Sequence, residues 1–144
     1  MIYIFLIFIL VFGCGWVVDR KRLERMFSKK KYIESAMKSA EEIKVNCDML
    51  PAHMRKDVYI SMTAFALIFY GVTYIISFYY IEKISFLPFI LIALVCDLHE
   101  VQYLNHRVIG KTITDLQETI LHAASIYRKL LFLYIAIQLL ITIF

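Results

Sequence analysis

The stretch of sequence that could do chemistry is CDLHEVQYLNHR, residues 96–107, which carries two histidines and two carboxylates. Imidazole and carboxylate groups are common ligands of zinc and iron. On a helix His99 and His106 share a face, but seven residues separate them by about 10 Å of rise, too far for one metal ion to bridge. A metal site would therefore need His122, from the following helix, as a further ligand.

The pattern that places two histidine ligands one turn apart, His-Glu-x-x-His, is missing because position 103 is Tyr. Glu100 lies about 100° around the helix from His99, so it does not orient the imidazole. We therefore predict no catalytic residue, no cofactor and no metal. His99, His106 and His122 are kept as metal-ligand candidates for an alternative, a metalloenzyme at the membrane interface.

Three cysteines, Cys14, Cys47 and Cys96, form no motif and their number is odd, so we predict no disulfide framework. No basic residue is placed by the sequence to activate a thiolate, so none is assigned as a nucleophile. Cys47 is expected to be shielded from a membrane-impermeant thiol reagent in intact cells and to react once the membrane is opened.

The elements that must position these residues are long apolar blocks. Hydrophobic residues make up 61% of the chain and charged residues 19%, against roughly 45–50% and about 25% in soluble domains. A helix needs about 20 apolar residues to cross a bilayer. The blocks predict an all-α integral membrane bundle of four transmembrane helices and one domain, with spans at residues 1–18, 58–81, 84–98 and 126–144.

The third span is short, since residues 84–96 would cover only about 20 Å. We expect it to cross by letting Asp97 and His99 reach the inner headgroup region, where a charge costs little. A re-entrant or surface segment is the alternative, and it would change the topology.

Orientation follows from the basic residues, because Lys and Arg flanking a span tend to stay in the cytoplasm. Residues 19–57 hold eleven Lys or Arg against seven Asp or Glu. We therefore expect segments 19–57 and 99–125 in the cytoplasm and both termini outside, with Trp16 at the inner interface. The membrane-flanking basic residues are Arg20, Lys21, Arg22, Arg25, Lys29, Lys30, Lys31, Arg128 and Lys129.

A lipoprotein signal cut before Cys14 is the alternative for the first block, but no basic residue precedes it and the basic stretch would have to be exported. Nucleic-acid binding is one interpretation of a basic stretch. Beside a membrane span, orientation explains the same charge, and we predict no nucleic-acid partner.

The cytoplasmic segments each carry one apolar stripe at helical spacing. We predict that they pack as an antiparallel hairpin, with Ile33 and Met37 facing Ile113, Leu116 or Ile120. Pro51 should end the first helix. Thr114 followed by Gln117 fits a capping box, from which one helix should run to the end.

Inside the spans, Gln138 can bond across to another helix, and Arg128 and Lys129 can snorkel to the inner interface. The small residues Gly71 and Ala93 would permit close helix contacts, so a charge at either should impair assembly.

The predicted function is that of a small multi-pass protein of the cell membrane that acts by protein–protein contacts, of a regulatory, immunity or assembly type. Its partners would be the lipid bilayer and a membrane or cytoplasmic protein, or a second copy. Besides the metalloenzyme, a small pore or lysis protein is an alternative, although no span carries a polar stripe that would line a channel.

Overall fold

The computed structural model describes residues 1–13 and 20–144. Across these ranges the chain is almost wholly helical and contains no strand, which confirms the predicted all-α class. An N-terminal helix, α1 (Ile2–Phe8), continues into a π-helical turn (Ile9–Gly13). The later helices are α2 (Arg20–Phe27), α3 (Lys29–Asp48), α4 (Ala52–Ile81), α5 (Leu87–Ile109) and α6 (Asp115–Ile143).

Local chemistry explains where the helices begin and end. The Ser28 hydroxyl accepts a hydrogen bond from the backbone N–H of Lys31 and caps α3. Pro51 is the N-cap of α4, so the predicted break between α3 and α4 is confirmed. The predicted capping box of Thr114 and Gln117 is present, and α6 runs from it without interruption to Ile143.

Three helical segments are long and apolar enough to cross a membrane: Thr63–Ile81, Ile84–Val108 and Asp115–Ile143. The apolar helix Ile2–Val11 is shorter than a span, so the described residues support three of the four predicted spans. The segment Ile84–Val108 is longer than the predicted third span, 84–98, because the helix continues past Asp97. That residue is buried between helices, so its charge does not face lipid and does not end the apolar segment.

The apolar helices share one core, and aromatic pairs set the direction of α1. Phe5 lies 5.7 Å from Tyr80 near the end of α4, and Phe8 lies 5.7 Å from Phe69, three turns earlier (ring centroids). Hence α1 runs antiparallel to α4. The fully buried members of this core are Ile9, Tyr74, Phe86, Ala93, Ile135, Ala136 and Leu139.

A second cluster joins α3 to α5 and α6 through Ile33, Tyr103 and Leu121, with Met37 and Ile113 packed against it. The contact predicted between these two parts of the chain is therefore present. We call α2, α3 and the helix ends they pack on the polar lobe.

Two of the partners predicted for this contact are wrong. Leu116 is 67% exposed and Ile120 is 45% exposed. The buried face of α6 instead runs through Leu121, Ala124 and Ser125. Ile120 is offset from Leu121 by about 100° around the helix axis, which turns it and Leu116 outward.

The two small residues differ in their surroundings. Ala93 is fully buried in the apolar core. A Cβ atom added to Gly71 would meet nothing within 4 Å, so Gly71 does not hold two helices in close contact and that expectation is wrong.

Candidate functional site

Asp97 is the centre of a network that joins three helices. Its carboxylate is fully buried, one oxygen accepting a 2.8 Å hydrogen bond from the Tyr74 hydroxyl and the other a 2.9 Å bond from Arg128 Nη1. These three residues belong to α4, α5 and α6. Asp97 was expected to reach a headgroup region, but its carboxylate is enclosed by the helices and contacts protein groups. A buried carboxylate is stable only if it is paired, and here it is.

Arg128 points into the bundle. Its side chain is only 13% exposed, and its Nη2 forms an ion pair with Glu100. Its guanidinium also stands 5.6 Å from the centre of the Tyr70 ring, a cation–π geometry. The prediction that Arg128 snorkels outward is therefore wrong. Two carboxylates and an aromatic face draw it inward instead.

Helical spacing explains why Arg128 contacts residues of two other helices. Asp97, Glu100 and Tyr70 contact it directly, and Tyr74 bonds to Asp97. Asp97 and Glu100 are three residues apart on α5, and Tyr70 and Tyr74 are four apart on α4, so each pair shares a helix face. We call Tyr70, Tyr74, Asp97, Glu100 and Arg128 the buried network. Sequence reasoning missed it, although the Asp97/Glu100 spacing and an Arg near an apolar span were the available signals.

A cavity of about 550 Å³ lies beside the network, where the apolar core meets the polar lobe. Four cationic side chains line it, and we call them the basic wall: Arg22, Arg25, Arg128 and Lys129. Three phenylalanine rings also line it, and we call them the aromatic wall: Phe8, Phe69 and Phe132. The volume of the cavity falls within the roughly 300–1,000 Å³ typical of ligand sites.

Charge is distributed unequally around the cavity. The described lining residues include four cationic side chains, those of the basic wall, and one carboxylate, that of Glu100. Arg128 pairs with Glu100 and with Asp97, whereas neither Arg25 nor Lys129 has an ion-pair partner among the described residues. The basic wall therefore has an excess of positive charge.

Polar groups that remain neutral also face the cavity. Ser35, Ser39 and Ser125 contribute hydroxyl groups. Burial raises the pKa of Tyr32 to about 12, and the Glu100 carboxylate acts in the same direction. At neutral pH the Tyr32 side chain is thus a neutral hydrogen-bond donor.

The predicted membrane-flanking basic residues take different roles. Lys29 bonds to Asp115 and Thr119 across to α6, and Lys31 pairs with Glu24. Those that line the cavity are Arg22, Arg25, Arg128 and Lys129. The remaining members are Arg20, which begins α2, and Lys21 and Lys30, which are exposed.

The histidines are not brought to one place. His99 and His106 line a small space of about 10 Å³ with Gln117. Nε2 of His122 instead lies 3.0 Å from the Met26 carbonyl oxygen, and its ring is tilted against that of Tyr32 at 5.4 Å between centroids. Among residues 1–13 and 20–144, no three side chains of His, Cys, Asp or Glu are grouped so that they could hold a metal ion.

Other predicted residues are placed as follows. The Gln138 side chain accepts a 3.2 Å hydrogen bond from Lys83, in the turn after α4, so it does bond away from its own helix. Cys47 is buried at 8% exposure, so the expectation that it reacts once the membrane is opened is not supported by its position. Cys14 and Trp16 lie outside the described residues.

No protein-family model, curated protein or solved structure matches the chain. The candidate site thus consists of a paired, buried network that joins three helices, and a cavity lined by both basic and aromatic side chains.

Proposed function

We propose that the chain is a multi-pass protein of the cell membrane that works through protein–protein contacts, in a regulatory, immunity or assembly role, and not through catalysis. The observation that carries this proposal is an exposed apolar pair at the C-terminal end of α3, formed by Val45 and the C-cap residue Met49, outside the three membrane-length segments. Val45 is 55% exposed and Met49 is 78% exposed, and they are four residues apart. On a helix that spacing places them on one face.

The surroundings of this pair resemble a protein interface. Exposed charged side chains flank it, namely Glu41, Glu42, Lys44 and Asp48. An apolar centre with Met enriched and a polar rim is typical of surfaces that bind other proteins. The opposite face of α3 is already occupied, since Ile33 and Ala40 are buried against the rest of the lobe. The exposed face is thus the one left for a partner.

We further propose that the polar lobe lies on the cytoplasmic side. Residues 19–57 hold eleven Lys or Arg, whereas the turn after α4 holds one, Lys83. The 30 residues of α4 extend about 45 Å, which places that turn far from the lobe. This asymmetry is the one expected when the lobe is cytoplasmic and the turn is outside.

A photo-crosslinking residue at Asn46, which is exposed between Val45 and Met49, is expected to give a protein adduct in native membranes. Introducing Val45→Glu and Met49→Glu together should abolish the adduct, because two charges cannot be buried in an apolar interface. Gel analysis with mass spectrometry measures the adduct, and its mass distinguishes a second copy from a different protein.

The matched control carries the same probe at Lys30, at the other end of α3, where no adduct is expected. His99→Ala and His106→Ala should leave the Asn46 adduct and the protein level unchanged. Equal adducts at Asn46 and Lys30, or none at Asn46, would count against the proposal. If only the histidine variants lost the adduct, and the purified protein contained zinc or iron, the metalloenzyme would be favoured.

A further inference from the structure

The cavity at the junction of the apolar core and the polar lobe is amphiphilic. Its aromatic wall comes from α1, α4 and α6, and its basic wall from α2 and α6. Phe69, on the aromatic wall, is itself 39% exposed. It belongs to the membrane-length segment Thr63–Ile81, so in a bilayer it lies at the depth of the acyl chains.

One donor in the basic wall lacks a partner. Arg128 uses Nη1 for Asp97 and Nη2 for Glu100, but its buried Nε has no hydrogen-bond partner among the described residues. A buried N–H that makes no hydrogen bond is destabilising, because it has lost its bond to water and gained none in return. An acceptor oxygen placed in the cavity beside Arg128 would remove that penalty.

We propose that the cavity binds one acidic phospholipid, with the phosphate of its headgroup against the basic wall and the upper part of an acyl chain along the aromatic wall. Basic pockets between membrane helices are suited to anionic headgroups on the cytoplasmic side. Arg25 and Lys129 supply charge that forms no ion pair with a described carboxylate, and the Ser35 hydroxyl supplies a further donor.

The aromatic wall decides between two sources of the same phosphate chemistry. A free phosphate ion would use only the basic wall and would leave three phenylalanine rings facing water. A phospholipid satisfies both walls, because its acyl chain covers the rings and continues past Phe69 into the bilayer. This inference needs the chain to lie in a membrane but does not need a protein partner, so the two proposals can fail separately.

The test is native mass spectrometry of the full chain, released from detergent after titration with phosphatidylglycerol, with phosphatidylcholine or with inorganic phosphate alone. We expect phosphatidylglycerol to bind at lower concentration than phosphatidylcholine, and inorganic phosphate to give no stable adduct. Replacing Arg25→Gln and Lys129→Gln together should weaken the phosphatidylglycerol adduct about 25-fold, from about fivefold for each charge removed.

The matched control is Lys38→Gln with Lys44→Gln, which removes the same charge from exposed positions of α3 outside the cavity. It should change the affinity less than twofold, and thermal melting should show that both double variants are folded. A variant pair that melts early is replaced by Arg25→Lys with Lys129→Arg, which keeps the charge and should keep the affinity.

Three outcomes would overturn the proposal. Equal weakening in both double variants would mean that only overall charge attracts the lipid. Equal binding of phosphatidylcholine would mean that the headgroup is not recognised. Binding of inorganic phosphate with the same sensitivity to Arg25→Gln and Lys129→Gln would assign the site to a free anion.

Discussion

Replacing Arg128 with methionine is expected to lower the free energy of unfolding by about 3–5 kcal/mol, the range for removing one partner of a buried ion pair. Methionine keeps an unbranched side chain, so most of the loss comes from charge and not from packing. Asp97, with a fully buried carboxylate, would then have only the Tyr74 hydroxyl, and Glu100 would lose its partner as well. Denaturant unfolding of the purified protein in micelles, followed by circular dichroism, measures the change.

A double-mutant cycle tests this prediction more strictly, because the effect of Asp97→Asn on the free energy of unfolding should change sign between the two backgrounds. In the wild-type protein Asp97→Asn removes an ion pair and is destabilising. In the Arg128→Met background the same substitution removes an uncompensated buried carboxylate, so it is expected to be stabilising. Asp97→Asn that destabilises equally in both backgrounds would show that the two charges do not interact.

The control for Arg128 is Arg55, whose Nη1 lies 3.5 Å from the Asp48 carboxylate in a pair with 46% and 57% exposed side chains. Exposed pairs contribute about 0–1 kcal/mol, and the two hydrogen bonds from Arg55 to the carbonyl oxygens of Asp48 and Leu50 are also exposed, so Arg55→Met should cost much less than Arg128→Met. Equal small effects at Arg55 and Arg128 would contradict the burial of the network.

The second large effect is expected at Ala93. Replacing it with Asp should reduce stability by about 3 kcal/mol or more, the range for a carboxylate at the centre of a membrane helix. Ala93 is fully buried in the apolar core, so the new side chain has neither space nor a cationic partner there. It would also stand one turn from Asp97 on α5, where two like charges repel. The same unfolding assay, together with the amount of folded protein in membranes, measures this.

Two control variants accompany Ala93→Asp. One separates the effect of charge from that of size at position 93, and the other tests a second small residue. Ala93→Ser adds only a hydroxyl and should cost much less than Ala93→Asp. Gly71→Ala places a methyl group where nothing lies within 4 Å. It should therefore be neutral or stabilising by roughly 0.5–1 kcal/mol, through reduced backbone entropy in the unfolded chain. If Gly71→Ala were as damaging as Ala93→Asp, the packing of α4 described above would be wrong.

Helix boundaries were predictable from the sequence because their causes are local. Pro51 cannot continue a helix, and Thr114 with Gln117 completes a capping box within four residues. Both signals act on the backbone next to them, whatever surrounds the helix. The contact of Ile33 with the later helices was predictable in outline for a related reason: an apolar stripe must be buried somewhere.

The buried network was not predictable in this way, because it depends on how α5 and α6 are rotated about their axes. Periodicity gives the face on which Asp97 and Glu100 lie but not the helix that this face meets. Arg128 has charged and apolar neighbours in sequence that suit either an outward or an inward position. The choice is made by two carboxylates on another helix. Leu116 and Ile120 were misplaced for the same reason.

The cavity could not be predicted from the sequence, since its lining comes from all six helices, α1 to α6. The basic residues were recognised from the sequence as markers of orientation. What the sequence did not reveal is that four of them meet three phenylalanines around one space. That requires the polar lobe to pack against the apolar core, which is a property of the tertiary structure.

Membrane insertion with the polar lobe in the cytoplasm is the central claim, and cysteine accessibility tests it most directly. Because Cys47 is buried, the probes belong at exposed positions in a chain whose own cysteines are replaced by Ala or Ser. Asn46→Cys lies on the lobe and Ser85→Cys lies in the turn after α4, and both positions are exposed. With a membrane-impermeant maleimide, intact cells should label Ser85→Cys but not Asn46→Cys, and opened cells should label both. Labelling of Asn46→Cys in intact cells, with Ser85→Cys protected, would contradict the orientation and the cytoplasmic placement of the lobe.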